Sequence, residues 1–155
     1  MKGNAKIIEQ LNARLAEELT AINQYFVHAE MCENWKFERI AGIIKKRAIV
    51  EMKHTEKLIE RIIFLEGRPI VTKLNKIAIG PTVADMYKND LGLEMGAERD
   101  YNETIRLAGE LKDAVTRDLL ESILADEEGH IDELEAQLDQ IKQVGIENYL
   151  TEQIR

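Results

Sequence analysis

The apolar positions of the chain fall into four long runs with helical spacing. From Ala5 to Asn34, residues Ile8, Leu11, Leu15, Leu19, Ile22, Phe26 and Ala29 recur every three or four positions and define one stripe. Asn34-Trp35-Lys36 interrupts it, and a second run from about Phe37 to Leu65 stops at Gly67, with Pro69 just beyond. The short turn predicts that helix two packs antiparallel to helix one. Residues 66–81 contain Gly67, Pro69, Gly80 and Pro81 and no sustained amphipathic run, so they read as a crossover long enough to travel the length of a bundle. Thr82 is placed as an N-cap, with Asp85 to return the bond, and helix three is expected from there to about Gly109. A break at Lys112-Asp113 precedes a fourth run from Ala114 to about Gln143, ended by Gly145. Residues 146–154 suggest a short fifth helix whose apolar face is not needed by the core and is expected to serve assembly. Rods of this length, roughly 40 Å each, are stable only when their stripes face one another. The expected fold is an all-α four-helix bundle, one domain over residues 1–155, with a long crossover that leaves helices two and three parallel.

Composition supports this picture and narrows the setting. The chain is 45% hydrophobic and 32% charged, with two prolines, and is rich in helix formers. The single Cys32 allows no internal disulfide, and Met-Lys-Gly-Asn at the start lacks an apolar segment for export, so a reducing cytoplasm is expected. No apolar run approaches the roughly 18 to 20 residues of a membrane span. A net charge of -8 argues against nucleic acid as a partner and suits attraction of cations.

The candidate chemistry appears twice. Glu18 is followed 33 residues later by Glu51-Met52-Lys53-His54, and Glu94 is followed 33 residues later by Glu127-Glu128-Gly129-His130. A Glu and a His three positions apart share one helix face, so each half offers two ligands from one helix and a third from another. Together the halves supply four carboxylates and two imidazoles, the donor set of a two-metal carboxylate site. Glu51 and Glu127 are placed to bridge two ions, with Glu18 and His54 capping one and Glu94 and His130 the other. Oxygen and imidazole donors without thiolate suit iron, with manganese and zinc as competitors. A pair of ferrous ions can each give one electron to dioxygen or peroxide.

Other residues follow from the same symmetry. Tyr25 lies seven positions after Glu18, and Tyr101 seven after Glu94. Each can hydrogen-bond a bridging Glu or donate an electron, Tyr25 being the stronger candidate, or can be a core aromatic whose hydroxyl finds a carboxylate. Asp90 and Asp126 are candidates to accept from the ligand imidazoles. His28 has no acidic partner at matching spacing and reads as structural, and Cys32 as an inert apolar residue. Met52 points about 100° away from Glu51, toward a neighbour.

With Met1-Lys2-Gly3, Ala21-Ile22-Asn23-Gln24-Tyr25-Phe26, Phe64-Leu65-Glu66-Gly67, Asp126-Glu127-Glu128-Gly129-His130 and Glu147-Asn148-Tyr149-Leu150, the chain resembles the bacterioferritins from end to end. These are haem-containing members of the ferritin family. The resemblance implies that Glu18, Glu51, His54, Glu94, Glu127 and His130 form a ferroxidase centre. It implies that Met52 is an axial ligand of a haem shared between two subunits, near Leu19, Ile22 and Phe26. It further implies a shell of twenty-four identical subunits storing hydrated ferric oxide, with a small ferredoxin as reductant. One departure stands out. Some bacterioferritins carry a His and an Asp at the positions of Lys46 and Val50, lining an inner-surface iron site; these residues cannot hold iron, which leaves Asp126 alone. Iron is therefore expected to pass through the centre itself, with movement of His130. A rubrerythrin-type peroxidase would add a Cys-x-x-Cys domain, which one Cys excludes. A haem-binding electron carrier without storage is the other reading.

Overall fold

The computed structural model describes all 155 residues. Helix α1 spans Ala5–Asn34, α2 Glu38–Phe64, α3 Val83–Glu110, α4 Ala114–Val144 and α5 Ile146–Thr151, and there is no strand. The expected boundaries hold because local signals act where they stand. The side chains of Asn4, Thr82 and Asp113 accept from the amides of Lys6, Asp85 and Thr116, which their helices leave open. Asp85 pairs with the Thr82 hydroxyl (2.8 Å).

Helices α1, α2 and α3 end in the same way. Lys36, Glu66 and Lys112 each adopt positive φ (67°, 61° and 58°). The following amide then folds back, Phe37 to the Cys32 carbonyl (2.9 Å), Gly67 to Ile62 (2.9 Å) and Asp113 to Ala108 (2.8 Å). Helix α4 stops at Gly145, where φ is 83°, a backbone conformation that glycine adopts without steric cost.

The crossover, residues 66–82, is laid along α1 as a strap. A segment without internal backbone pairing needs other acceptors for its amides, and α1 supplies them from its side chains. Asn12 Oδ1 accepts from Ile70 N–H (2.8 Å), Thr20 Oγ1 from Asn75 (2.8 Å), Gln24 Oε1 from Ala78 (2.9 Å) and His28 Nε2 from Gly80 (3.0 Å). The acceptors advance along α1 in step with the strap, so the strap runs parallel to α1. It delivers α3 to the end where α2 began. Because α1 and α2 are antiparallel, α2 and α3 are parallel, as the length of the crossover predicts. Helix α1 packs against α2 and α3, and α4 against α3 and α2.

The core is split into two apolar clusters. One, built around Ile7, Leu11, Leu15, Leu58, Ile62, Leu120 and Ile123, fills one end. The other, around Ala29, Ile40, Ile44, Met86, Leu134 and Tyr149, fills the opposite end. Between them lies a polar layer. This layer changes the face of α1 that is buried. Glu18, Gln24, Tyr25 and His28 occupy the inward arc, while Ile8, Leu19, Ile22 and Phe26 of the expected stripe are only half-buried. Hydrophobicity alone could not place an inward arc that is largely polar.

The fifth helix also departs from expectation. Tyr149 is buried in the second cluster, its hydroxyl 2.9 Å from that of Tyr87, and the Gln153 carbonyl accepts from Arg39 N–H (3.1 Å). Helix α5 therefore helps to close one end of the core through Tyr149, while Ile146 and Ile154 remain exposed.

Candidate metal centre

Each of the four long helices sends one or two charged side chains into the polar layer. Glu18 comes from α1, Glu51 and His54 from α2, Glu94 from α3, and Glu127 and His130 from α4. The four glutamates and His54 are at most 2% exposed. Donor atoms of Glu18, Glu51, His54 and Glu127 lie within 4.8 Å of one another, as do those of Glu51, Glu94, Glu127 and His130. Glu51 and Glu127 belong to both groups. His54 Nδ1 is 3.6 Å from Glu18 Oε2 and 2.9 Å from Glu127 Oε1. His130 Nδ1 is 3.1 Å from Glu51 Oε1 and 3.4 Å from Glu94 Oε1.

The donor set fits a pair of cations. One buried atom on each of the six residues lacks a hydrogen-bond partner: Glu18 Oε2, Glu51 Oε1, His54 Nδ1, Glu94 Oε2, Glu127 Oε1 and His130 Nδ1. Orphaned buried polar atoms are costly and rare, yet here six converge on one layer. Four ionised carboxylates with two neutral imidazoles would balance two divalent ions.

Protonation in the apo protein reports the same crowding. Burial, then the charge of Glu18, pushes the carboxyls of Glu51 and Glu127 well above the usual range. Burial also pushes Glu94 up, but hydrogen bonds from Glu127, His130 and Tyr25 prevail and hold it below the usual value. For His54, burial favours the neutral ring, but Glu127 and Glu18 outweigh it and raise the imidazole to about 10. Protons thus occupy a centre whose charge is otherwise unbalanced.

The surrounding residues differ from the sequence expectation in their partners. Tyr25 donates to Glu94 and Tyr101 to Glu18 (2.6 Å), so each tyrosine orients the glutamate of the other half, one found in a single donor group, and neither reaches Glu51 or Glu127. The antiparallel contact of α1 and α3 causes this exchange. Asp126 Oδ2 accepts from His54 Nε2 (2.8 Å). Asp90 touches neither His54 nor His130. It accepts instead from Gln24 Nε2 (2.8 Å) and His28 Nδ1 (2.9 Å). His28 therefore does have an acidic partner, 62 residues away, and with Nε2 accepting from Gly80 it locks the strap to α3. Cys32 is buried, free and 3.8 Å from Met86 Sδ.

A cavity of about 170 Å³ lies between α1, α3 and the strap, with Glu18, Glu51, Glu94 and Glu127 in its wall. Glu17 and Asp100 line its more exposed side. Sequence reasoning did not single them out, because no helical spacing relates them; Arg14, which binds Glu17 (2.9 Å) and donates to the Thr104 hydroxyl (2.7 Å), draws them together.

Met52 sits on the outer face of α2, 46% exposed beside Ile49 at 43%. Ion pairs Glu18–His54 and Lys45–Glu30 fix the register of α1 against α2 and set Met52 level with Leu19 and Ile22.

Residues 8–144 match the model of the ferritin-like domain. The chain is 42% identical over 149 residues to the bacterioferritin of Brucella melitensis, covering 96% of this chain and 92% of that protein. Identity is 41% to the bacterioferritin of Rhodobacter capsulatus, with the same coverage, and 39% to that of Mycolicibacterium paratuberculosis, with 96% and 94%. The chain belongs to the bacterioferritin family. Helix order, long crossover and short terminal helix are those expected of a bacterioferritin, and no helix is long and apolar enough to cross a membrane.

Proposed function

We propose that this protein stores iron in the cytoplasm, oxidising ferrous iron at the paired carboxylate centre with dioxygen or peroxide and retaining the ferric product as mineral in a multi-subunit shell. The observation that carries the reading is the convergence of six buried, unpartnered donor atoms in two overlapping groups. Ferrous iron is the substrate: Asp100, whose carboxyl is held below its ordinary value by Glu17 and Arg14, would attract it to the cavity, Glu18 and His54 would bind one ion, Glu94 and His130 the other, and Glu51 and Glu127 both. Paired ferrous ions supply two electrons at one place. Tyr25 and Tyr101 hold Glu94 and Glu18 through hydrogen bonds, and Tyr25 would also give an electron. His130, the most exposed of the six donors, is the one placed to move when ferric iron leaves toward the interior.

The whole chain acts as one ferritin-like domain, and the shell is expected to contain twenty-four copies built from dimers. Met52 from each of two subunits would hold a haem at their shared face, among Leu19, Ile22, Phe26 and Ile49. An exposed thioether in an apolar surround fits that group. Bound haem supplies one-electron transfer, from a small ferredoxin to the stored iron.

Ferrous iron added in air tests the reading. Rapid oxidation with iron retained in a large soluble particle is the expected result; slow oxidation with precipitation outside the particle would sink it. A Soret band that vanishes in Met52→Leu checks the haem.

A further inference from the structure

The two ligand histidines are not supported alike. His54 presents Nδ1 to the carboxylates and anchors Nε2 on Asp126 (2.8 Å). His130 also makes all its carboxylate contacts through Nδ1, and its Nε2 has no acceptor within the chain. The halves repeat at an offset of 76 residues, as in Glu51 and Glu127 or His54 and His130, so the counterpart of Asp126 is residue 50. That residue is Val50. A metal-bound imidazole ordinarily donates its other N–H to a carboxylate, carbonyl or water, which fixes the ring.

Beside His130 lie two cations and one carboxylate. A cleft of about 300 Å³ between α2 and α4 is lined by Ile43, Lys46, Arg47, Val50, His130 and Glu133. Arg47 is 3% exposed, and Nε, Nη1 and Nη2 all lack a hydrogen-bond partner. Its acidic neighbours, Asp90 at 3.8 Å and Glu133 at 3.6 Å, are beyond direct hydrogen-bonding distance. Gln24 and His28 engage only Asp90 Oδ1; Oδ2, which faces Arg47 Nη1, is itself unpartnered and stays 3.8 Å away. The guanidinium lies over the Tyr25 ring (5.4 Å to its centroid), but its five N–H donors still lack acceptors, which is costly unless a ligand meets them. Lys46 adds a second positive charge, and His130 Nε2–H a further donor once Nδ1 is on a metal.

We propose that this cleft is an oxyanion site, and that monohydrogen phosphate bound by Lys46 and Arg47 accepts from His130 Nε2–H in place of the missing carboxylate. The guanidinium fork suits two oxygens of a tetrahedral anion, and the ammonium acts as a point charge. Glu133 repels a fully deprotonated anion but can accept from the one hydroxyl of monohydrogen phosphate, so the site discriminates against sulfate. Binding itself needs no metal; the anchoring of His130 rests on the metal-centre reading above.

Calorimetric titration of inorganic phosphate into the assembled, metal-free protein tests the site. One saturable phosphate per chain is expected, with sulfate weaker by about tenfold, the worth of one hydrogen bond to a charged group. Lys46→Gln is expected to weaken phosphate about tenfold or more, and Val50→Asp, which restores the carboxylate, to abolish it while the particle size is kept. No saturable phosphate, unchanged affinity in Lys46→Gln, or sulfate equal to phosphate overturns the proposal. The anchoring role is read separately from Co²⁺ loss to a chelator: phosphate should slow it about tenfold in the native protein and not in Val50→Asp. Co²⁺ bound stoichiometrically in phosphate-free buffer but indifferent to phosphate defeats the anchoring role and leaves the metal centre standing. Failure to bind Co²⁺ at all defeats the metal centre, whatever phosphate does.

Discussion

His54 and His130 occupy matching places in the two halves and both turn an unpartnered Nδ1 to the carboxylates, yet only His54 is anchored through Nε2. Asp126 holds His54 at 2.8 Å, while Val50 leaves His130 to a cleft containing Lys46 and Arg47. The tyrosines, in contrast, keep the symmetry: Tyr25 reaches Glu94 and Tyr101 reaches Glu18. Met52 faces out of the bundle in one copy, and Glu128 takes its place in the other. The halves are thus equivalent in the donors that meet at the axis and unequal in what lies behind them. Donors must agree because both groups share Glu51 and Glu127, whereas their supports face different surroundings and can diverge without dismantling the centre.

The largest test removes what the halves share. Glu127→Ala takes a donor from both groups and should lower ferrous oxidation in stopped-flow assays by more than the roughly 100-fold that loss of an outer partner can cause. A variant that merely halved the rate would show that the groups act independently.

Asp126→Asn addresses the unequal support. It should weaken the metal site at His54 by about 10- to 100-fold, read as one weakened Co²⁺ site out of two. Equal weakening of both would mean that Asp126 acts on the pair and not on its own histidine.

A third difference lies at Glu17, whose counterpart at the 76-residue offset is Leu93. Burial and a hydrogen bond with Asp100 raise the Glu17 carboxyl from 4.5 to about 9, and Glu51 and Glu127 are raised as well. A folded-state value above the unfolded one means that the protonated form favours the fold. That contribution is complete below about 4.5 and is lost as pH rises toward 9. His54, raised to about 10, acts in the same direction, and Glu94, held low, in the opposite one. The melting temperature of the metal-free protein should therefore fall from pH 6 to pH 9, and Glu17→Gln should flatten the fall. Metal-loaded protein should keep only the part due to Glu17, since metal binding requires deprotonated ligands and Glu17 is not among the six donors. A flat profile for the metal-free native chain would be incompatible with these protonated carboxyls.

The smallest effect probes a place where the halves agree. Lys36 and Lys112 stand 76 residues apart, each ending its helix at positive φ (67° and 58°). Replacing either with Gly should stabilise the fold by about 0.5 to 1 kcal/mol, the relief of the left-handed backbone less the extra freedom gained by the unfolded chain. Chemical denaturation should show the two variants alike; a difference would locate a further asymmetry in the turns.

Much of this arrangement is legible along the chain because it rests on short-range rules. Helix ends follow from Thr82, Asp113 and Gly145, and the Glu-x-x-His spacing follows from the turn of a helix. The sequence misleads where contacts come from distant residues. Asp90 looks like a support for a ligand histidine, one turn from Glu94, but it turns to His28 and Gln24 across the α1–α3 contact. The stripe of α1 looks wholly apolar because periodicity scores Ile8 and Ile22, whereas the strap claims Asn12, Thr20, Gln24 and His28 as acceptors. Glu17 and Asp100 share no spacing, and only packing against Arg14 sets them on one cavity wall.

By itself, the sequence determined the number, length and polarity of the helices and the paired Glu-x-x-His spacing of the candidate donors, since both depend on residue type and on the 3.6-residue turn. The tertiary structure alone decided which donors belong to both groups, which tyrosine serves which glutamate, and which histidine is left without an anchor. Those outcomes depend on the register between antiparallel helices. Register is fixed by side chains far apart in the chain, through the ordered strap, the split core and the charges buried between its two halves.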